Sequence, residues 1–505
     1  MSIETIADGL VAAGQSDGST RPRRDGSPAD AFGSAARSAD AAVPRQLTGV
    51  RRAADVQALL GDPPHLERPS FLIEEAADAA SLSAYRGLRQ EIFVEQQRLF
   101  ERSDLDDRDE DSRTVVLIAK GPDGEVVGGV RLGPAIDGPD LGWWQGGRLV
   151  TVKGAGVGAA LVRAACARAE AAGALRFDAT VQTGTHRFFQ RLGWETIRPV
   201  TVAGTQHVLM RWPIGRIAQL VAATKSDLGP LLQGIGPAGF IGDDGAPVPG
   251  SDLVAACDAI VPSLVERDPE WAGWCSVLVN VNDLAAMGAE PVGLLDAIGA
   301  RDRSFATRIM SGLRQAAQAY GIPVLGGHTQ FGVPAALSVT ALGRTEHPVP
   351  GGGGKPGQEV RLTADLGGGW RAGYAGRQWD STSGRRTDEL RAMVSSVGKA
   401  RPEAAKDVSM AGVVGTLGML AEASGCAAVL DVAAVPKPAE ASMGDWLTCF
   451  PGFGMLTTGP QELMAGPAQS GVCGHLTTGS GVRLRWPDGE ITEALSAGVT
   501  GMGAA

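Results

Sequence analysis

Cysteine is scarce in this chain, and its spacing favours neither disulfides nor metal. The six cysteines stand far apart and no Cys-x-x-Cys pair occurs: Cys166, Cys257, Cys275, Cys426, Cys449 and Cys473. Disulfide-stapled domains and cysteine-ligated zinc sites both rely on closely spaced pairs. We therefore exclude both, and we expect a reducing, cytoplasmic compartment.

Long apolar runs and an excess of basic residues are also missing. The formal net charge is −10, whereas a general nucleic-acid binder needs a basic surface. No apolar run reaches the roughly 18 residues that a membrane helix requires. The first residues lack a basic start followed by an apolar core, so no secretory signal is predicted. We expect no nucleic-acid partner and no membrane partner.

The 505 residues and 71 glycines indicate about two to four domains with many turns. We predict a multidomain protein of α/β and α+β units. The predicted divisions are a flexible tail (1–66), a compact α/β unit (67–213), a helical linker (214–235), a second α/β unit (236–346) and a third unit with a strand-rich end (347–505).

A glycine-rich stretch opens the second helix of the first unit. It reads "KGAGVG" and comprises Lys153, Gly154, Ala155, Gly156, Val157 and Gly158. Glycines there would let a phosphate approach backbone N–H groups at the positive end of the helix. A tight strand-to-helix turn would need the same glycines, so the pattern alone leaves both interpretations open.

The first unit resembles the GNAT acyltransferase family. "KGAGVG" is similar to the family's Q/R-x-x-G-x-G pyrophosphate loop, and "HRFFQRLGWE" (186–195) is similar to its F-Y-x-x-x-G-F segment. Arg131 matches the arginine of the Arg-Leu pair that follows the family's β-hairpin. The resemblance implies a mixed central sheet with helices and an acetyl-CoA or other acyl-CoA cofactor. It also implies that residues 153–158 bind that cofactor and that the domain transfers acyl groups.

The first unit lacks the proton donor that is usual in the GNAT family. Phe189 stands where many GNAT members have the tyrosine that protonates the leaving thiolate, and phenylalanine cannot donate a proton. His186 and Glu95 are our candidate catalytic residues. The acidic stretch 104–111 either binds an amine or forms a solvated loop.

The stretch "VLVNVNDLAAMGAEP" (277–291) is predicted to begin as a β-strand and to end as a short helix. Its polar residues Asn280, Asn282 and Asp283 fall at or near the predicted junction. Asp283 could cap the helix, or it could hold a metal ion on a phosphate. One carboxylate can do both, because each of its oxygens can face a different partner.

Acidic residues recur at the predicted strand ends and helix starts of the second and third units. They are Asp243, Asp244, Asp258, Asp283 and Asp407. Gathered in one place, these carboxylates would repel each other unless cations lay between them. Mg²⁺ suits such a set, because it takes oxygen ligands and bridges to nucleotide phosphates.

The order of these motifs resembles the AIR synthase (PurM-like) superfamily. "GDDGAPV" is similar to its G-D-D-A-A-V loop, "VNVNDLAAMGA" to its V-N-x-x-D-x-x-A-M-G-A segment, "VLGGHT" to the G-G-H-S/T turn of its selenophosphate synthetase branch, and "DVSMAG" to its D-V-S/T segment. The resemblance implies a PurM-like N-terminal α/β domain, a PurM-like C-terminal α+β domain, and a homodimer formed through the former.

The same resemblance implies ATP and Mg²⁺ as cofactors and assigns residue roles. Asp243 or Asp244, together with Asp283 and Asp407, would bind magnesium. Further residues would lie near the nucleotide or its phosphates, namely Asp258, Asn280, Gly326, Gly327, Thr329 and the candidate catalytic His328. No reactive cysteine precedes Asp243 in a glycine-rich lead, which argues against selenide as the substrate.

We therefore expect a bifunctional enzyme of small-molecule metabolism. A GNAT-like half would transfer an acyl group and an AIR synthase-like half would transfer a phosphoryl group from ATP. The alternative is a regulatory or scaffold protein that binds acyl-CoA and ATP with a catalytically weak GNAT half.

Overall fold

The computed structural model describes residues 71–152, 156–226 and 228–504. The predicted tail (1–66) and Lys153, Gly154 and Ala155 of the glycine-rich loop lie outside these residues. Within the described part, no helix combines the length and the apolar character needed to cross a bilayer.

The first unit is built on a seven-stranded sheet with one main helix against it. The strands are β1 (Leu72–Glu75), β2 (Val115–Lys120), β3 (Val126–Pro134), β4 (Trp143–Thr151), β5 (Arg176–Gln182), β6 (Glu195–Val202) and β7 (Thr205–Trp212). Their spatial order is β1-β2-β3-β4-β5-β7-β6. The helices are α1 (Ala79–Arg89), α2 (Val157–Ala171) and α3 (His186–Arg191). Strands β2 and β3 form an antiparallel hairpin.

The helical segment near the start of this unit changes form along its length. After α1, the chain continues as a π-helix over Gln90–Gln96. The wider turn is a feature often found at functional sites. Phe93 of this segment is buried and packs with Tyr85 of α1 against the sheet.

The sheet opens between its central strands. Strands β4 and β5 run parallel and pair over only four positions, from Trp143 with Arg176 to Gly146 with Ala179. Beyond these positions β4 stays bonded to β3, and β5 stays bonded to β7. The two strands therefore diverge and leave a wedge, beside which α2 begins.

The linker is helical, as predicted. It contains α4 (Arg216–Thr224) and α5 (Leu228–Leu232). Ile217 and Val221 of α4 are buried in the hydrophobic core of the third unit. The linker is thus packed against that unit along one face of α4.

The second unit is a five-stranded sheet with helices on one face. Its strands are β8 (Ala246–Pro247), β9 (Leu253–Ala259), β10 (Glu290–Ala300), β11 (Val324–Phe331) and β12 (Ala336–Arg344), in the spatial order β11-β10-β12-β9-β8. Its helices are α6 (Pro262–Arg267), α7 (Pro269–Ala286) and α8 (Arg303–Tyr320). Strand β11 is exposed along its whole length.

The predicted strand-to-helix junction at 277–291 is wrong. The whole of Pro269–Ala286 is one helix, α7, and Asp283 lies in its last turn instead of at its start. Nearly every residue of α7 is buried, and a helix that is apolar on all sides shows no amphipathic period. The capping role considered for Asp283 is therefore wrong as well.

The third unit is a second seven-stranded sheet. Its strands are β13 (Glu359–Ala364), β14 (Gly369–Trp370), β15 (Trp379–Asp380), β16 (Ala404–Asp407), β17 (Ala427–Asp431), β18 (Gly454–Thr458), β19 (Gln469–Thr477), β20 (Val482–Arg485) and β21 (Ile491–Leu495). The main sheet has the order β16-β18-β13-β19-β17-β20-β21, and β14 pairs only with β15. Its helices are α9 (Thr387–Val394), α10 (Ser396–Ala400), α11 (Gly412–Ala423) and α12 (Met443–Thr448).

Candidate metal and nucleotide site

Three carboxylates that are far apart in the sequence meet between the second and third units. Asp244 lies on the turn before β8, Asp283 in the last turn of α7, and Asp407 at the end of β16. One oxygen from each lies within 4.8 Å of the other two. Asp283 and Asp407 are buried, with exposed fractions of 7% and 4%. We call these three residues the carboxylate cluster.

Lys406 anchors one side of the cluster. Its ammonium donates hydrogen bonds to Asp244 Oδ1 at 2.7 Å and to the carbonyl oxygen of Gly242 at 2.8 Å. The backbone N–H of Asp407 donates to the other oxygen of Asp244 at 3.0 Å. These bonds fix the Asp244 carboxylate against β16, while Asp283 approaches from α7.

The cluster carries more negative than positive charge. Burial, followed by the charges of Asp407 and Asp258, raises the pKa of Asp283 well above the usual aspartate value. Burial and the charge of Asp244 likewise raise the pKa of Asp407. Such pKa shifts are the combined effect of burial and of neighbouring like charges.

The donor set fits a divalent cation. Three carboxylates supply hard oxygen ligands of the kind that Mg²⁺ prefers. Asn282, one residue before Asp283, donates from its side-chain nitrogen to the carbonyl of Gly452 at 2.7 Å. Its side-chain oxygen is buried without a hydrogen-bond partner. A buried oxygen without a donor is costly, so Asn282 carries an unmet acceptor one residue before Asp283.

The sequence left Asp243 and Asp244 as alternatives, and the structure separates them. Asp244 belongs to the carboxylate cluster, whereas Asp243 does not. Both oxygens of Asp243 are buried without hydrogen-bond partners. Burial raises the pKa of Asp243 to about 6, although the charge of Lys406 opposes this rise. Asp243 is therefore a neighbour of the cluster and not one of the three carboxylates that meet, and a ligand role for it remains a prediction.

Asp258 and Asn280 lie beside each other on β9 and α7. The side-chain oxygen of Asn280 accepts from the backbone N–H of Asp258 at 3.2 Å, and its nitrogen donates to the carbonyl of Ser276 at 2.9 Å. Asn280 is fully buried and binds main chain at both ends. It therefore positions the strand, while Asp258 adds charge near Asp283 and Asp407.

The predicted phosphate-contacting turn lies elsewhere in the second unit. Gly326, Gly327, His328 and Thr329 all fall on β11, the exposed edge strand. Their register places Gly327 opposite Asp296 and His328 opposite Ala297 of β10. None of them joins the carboxylate cluster, and their roles remain predictions.

The wedge in the first unit forms a cavity of about 480 Å³. Gly156 and Gly158 line it at the start of α2, and Phe189 lines it from α3. His186 and Glu95, the candidate catalytic residues, are not among its lining residues. His186 lies beside the carbonyl of Thr183, with its Nδ1 at 2.9 Å, and Glu95 is exposed. The structure therefore does not bring these two residues to the cavity.

The acidic stretch at 104–111 is largely neither a solvated loop nor a free amine site. Asp104 and Asp109 are buried in ion pairs with Arg89, at 2.8 and 2.5 Å. Arg131 pairs with Asp106 and Asp109, and Arg148 pairs with Asp104 and Asp106. Asp104, Asp106 and Asp109 are thus neutralised within the domain, whereas Asp107 and Glu110 are exposed.

Sequence reasoning missed Lys406 and, although it named Asn282, assigned that residue no role. Lys406 directly precedes Asp407, and Asn282 directly precedes Asp283. A buried lysine adjoining an aspartate could have been noticed as a charge partner. The unpartnered oxygen of Asn282 could not, because it depends on the approach of Gly452 from another unit.

Comparison with known proteins agrees with the order of these units. Residues 242–345 match the AIR synthase related protein, N-terminal domain, residues 355–479 match the AIR synthase related protein, C-terminal domain, and residues 81–194 match the acetyltransferase (GNAT) family.

Curated relatives match the later part of this architecture. An uncharacterised protein from Synechocystis is 36% identical over 234 residues, covering 45% of this chain and 72% of that protein. A selenide, water dikinase from Myxococcus xanthus is 31% identical over 245 residues, covering 44% and 67%. A thiamine-monophosphate kinase from Synechococcus elongatus is 37% identical over 124 residues, covering 23% of this chain and 38% of that protein. The chain belongs to the AIR synthase related family and carries a GNAT-family domain ahead of its two AIR synthase related domains.

Proposed function

We propose that this protein is a bifunctional enzyme of small-molecule metabolism. Its AIR synthase related half transfers a phosphoryl group from ATP in the presence of Mg²⁺, and its GNAT half transfers an acyl group from acyl-CoA. The carboxylate cluster of Asp244, Asp283 and Asp407 carries the proposal. The kinase names of two relatives support it.

The chain's own residues define what the phosphoryl site can do. Asp244, Asp283 and Asp407 would hold Mg²⁺, which would neutralise charge on the transferring phosphoryl group. Lys406 orients Asp244 through its 2.7 Å bond. Burial of Asp283 and Asp407 keeps water from weakening these electrostatic contacts. The site would therefore act by positioning and charge neutralisation.

The acyl half is proposed from the wedge between β4 and β5. The cavity reaches from the start of α2, where a phosphate can meet free N–H groups, into the centre of the domain. Phe189 lines this cavity and supplies no proton donor. Acyl transfer here would rest on placing the thioester and the acceptor side by side.

Calorimetric titration of Mg²⁺-ATP tests the phosphoryl half. We expect micromolar binding to the wild-type chain that requires Mg²⁺ and is largely lost in Asp283→Asn. Ligand at about 100 times its Kd should stabilise the fold by about 2.7 kcal/mol. Asp302→Asn is a matched control, because Asp302 caps α8 by accepting from Phe305 and is no part of the cluster. Equal binding by Asp283→Asn and the control would contradict the proposal.

A second candidate is a regulatory protein that binds acyl-CoA and ATP without turning them over. Phe189 at the position of the family's usual tyrosine favours it for the GNAT half. Single-turnover assays with a panel of small amines separate the two candidates. Acyl-CoA binding with no acyl transfer to any amine would support regulation, whereas transfer to one of them would exclude it.

We also propose a homodimer formed through the second unit. The sheet edge at β10 and β11 exposes the large apolar residues Leu295, Val324, Leu325 and Phe331. Clustered apolar exposure of this kind marks interaction surfaces. Sedimentation should give twice the chain mass for the wild type and the single-chain mass for Leu325→Asp. Leu231→Asp, at an exposed position of α5, should remain dimeric, and a monomeric wild type would contradict the proposal.

A further inference from the structure

The cavity of the first unit continues along α2 beyond its opening. Gly158, Val162 and Ala165 line it, and their spacing places them on one face of the helix. The seven-residue step from Gly158 to Ala165 corresponds to about 10 Å along the helix axis. The cavity therefore extends well past the site where phosphates would bind.

The opposite wall is equally apolar. Phe177, Ala179 and Val181 of β5 line the cavity, and alternate residues of a strand face the same side. Trp194 closes the deep end, with its ring 5.3 Å from that of Phe177. Ala165, Phe177 and Trp194 are each at most 4% exposed. The deep end is thus a mainly apolar cleft between α2 and β5 that is shielded from bulk water, although the buried Nε1 of Trp194 has no hydrogen-bond partner.

This shape does not match an acetyl group. An acetyl group extends one C–C bond, about 1.5 Å, beyond its carbonyl carbon. It would leave most of the cleft without contacts, and unfilled apolar space forfeits dispersion contacts. A longer alkyl chain gains about fourfold in affinity for each methylene that it buries.

We propose that the GNAT domain takes acyl thioesters whose acyl chain has about eight carbons or more, since about seven C–C bonds of about 1.5 Å are needed to span about 10 Å. The inference rests on the proposed acyl-CoA function and narrows it to a substrate class. The chain would enter beside Gly158, follow Val162, and end against Ala165, Phe177 and Trp194.

Titration of acetyl-, hexanoyl- and octanoyl-CoA into the full chain, without acceptor, tests this inference. We expect affinity to rise with chain length, and octanoyl-CoA to bind at least about tenfold more tightly than acetyl-CoA, since each buried methylene contributes. Equal affinities for all three would overturn the chain-length inference alone. Binding of none of them would instead overturn the proposed acyl-CoA function.

Two variants locate the acyl chain. Ala165→Leu fills the deep end and should abolish the preference for octanoyl-CoA. Ala169→Leu is the matched control, because Ala169 lies one turn further along α2, is fully buried and does not line the cavity. Should Ala165→Leu fail to fold, Trp194→Phe enlarges the same space and should shift the optimum to a longer chain. An unchanged chain-length profile in a folded deep-end variant would contradict the assignment.

Discussion

Asp283 is buried, lies near other negative charges, and occupies the end of a helix that disfavours a negative charge. It lies in the last turn of α7, where free carbonyl groups form the negative end of the helix dipole. Asp407 and Asp258 add further negative charge nearby. These three effects make an ionised Asp283 destabilising in the metal-free fold, and a bound divalent cation would reduce all three.

Asp283→Asn should therefore stabilise the chain in EDTA, by on the order of 1–3 kcal/mol at pH 8, the cost of an uncompensated buried polar group. The raised pKa of Asp283 means that the folded chain binds this proton more tightly than the unfolded chain. The free energy of unfolding of the wild type should thus fall as the pH rises above about 4. Denaturant unfolding at pH 5 and pH 8 measures both effects.

Asp244→Asn provides the contrasting variant. It breaks the 2.7 Å ion pair with Lys406 and leaves that lysine buried with less compensation, so it should destabilise the chain. If Asp283→Asn proved as destabilising as Asp244→Asn in EDTA, the excess of negative charge would not be the controlling factor.

The sequence identified all three members of the carboxylate cluster, because each lies in a short motif that resembles one of the AIR synthase superfamily. It could not choose between Asp243 and Asp244, since the choice depends on which carboxylate Lys406 and the backbone of Asp407 reach. Asn280 was placed near the nucleotide by the resemblance to the AIR synthase superfamily. Its hydrogen bonds to main chain become visible only when β9 and Ser276 are in place.

Helix α7 shows why local patterns misled at the element scale. Its run Val277, Leu278, Val279 and Val281 has the composition of a strand. The run is nevertheless helical, and it is buried by the sheet on one side and by α8 and the third unit on the other sides. A short apolar run of this kind cannot be assigned to a strand or a buried helix by periodicity. Helix α8 shows the amphipathic period that α7 lacks, because one face of α8 remains exposed.

The close packing of α7 against α8 depends on glycine. A Cβ at Gly312 would lie 1.7 Å from the carbonyl oxygen of Glu270, so the two helices would have to separate. We expect Gly312→Ala to cost about 1–3 kcal/mol. Gly87→Ala in α1, where a Cβ meets nothing within 4 Å, should instead stabilise by up to about 1 kcal/mol. Thermal unfolding of both variants checks the contrast, and similar shifts would contradict it.

At the scale of the whole molecule, Arg176 joins the first sheet to the third unit through ion pairs. This residue is 1% exposed and donates to Asp488 at 3.0 and 2.9 Å and to Glu490 at 3.0 Å. Its guanidinium also lies 4.0 Å from the ring centroid of Trp143 and 5.6 Å from that of Trp486. Because Arg176 begins β5, the contact adjoins the strand that lines the acyl cavity.

Arg176→Met should weaken this contact by about 1–3 kcal/mol, since it leaves Asp488 without its ion-pair partner, whereas Glu490 keeps its pair with Arg211. Calorimetry should then resolve a separate, earlier unfolding transition of the first unit. Arg485→Met is the control, because its pair with Asp431 is largely exposed, at 40% and 33%, and should matter by at most about 1 kcal/mol. Identical melting of both variants would show that Arg176 does not join the units.

The order of the units was accessible from the sequence, because each carries its own motifs. Their contact was not. It depends on Asp488 and Glu490, which lie in a β-turn region with no family motif, and on the buried position of Arg176. From the sequence alone, charged residues of this kind are expected to be solvated at the surface. Their pairing becomes visible only when the position of the partner unit is known.

The central claim is that the carboxylate cluster binds a divalent cation together with ATP. Electron paramagnetic resonance of Mn²⁺ measures this directly, because bound Mn²⁺ loses the sharp signal of the free ion. We predict that the wild-type chain with ATP removes Mn²⁺ from the free pool beyond what ATP alone removes, and that Asp283→Asn does not. The same free Mn²⁺ in both samples would contradict the account, and the three carboxylates would then be a structural feature of the interface between the units.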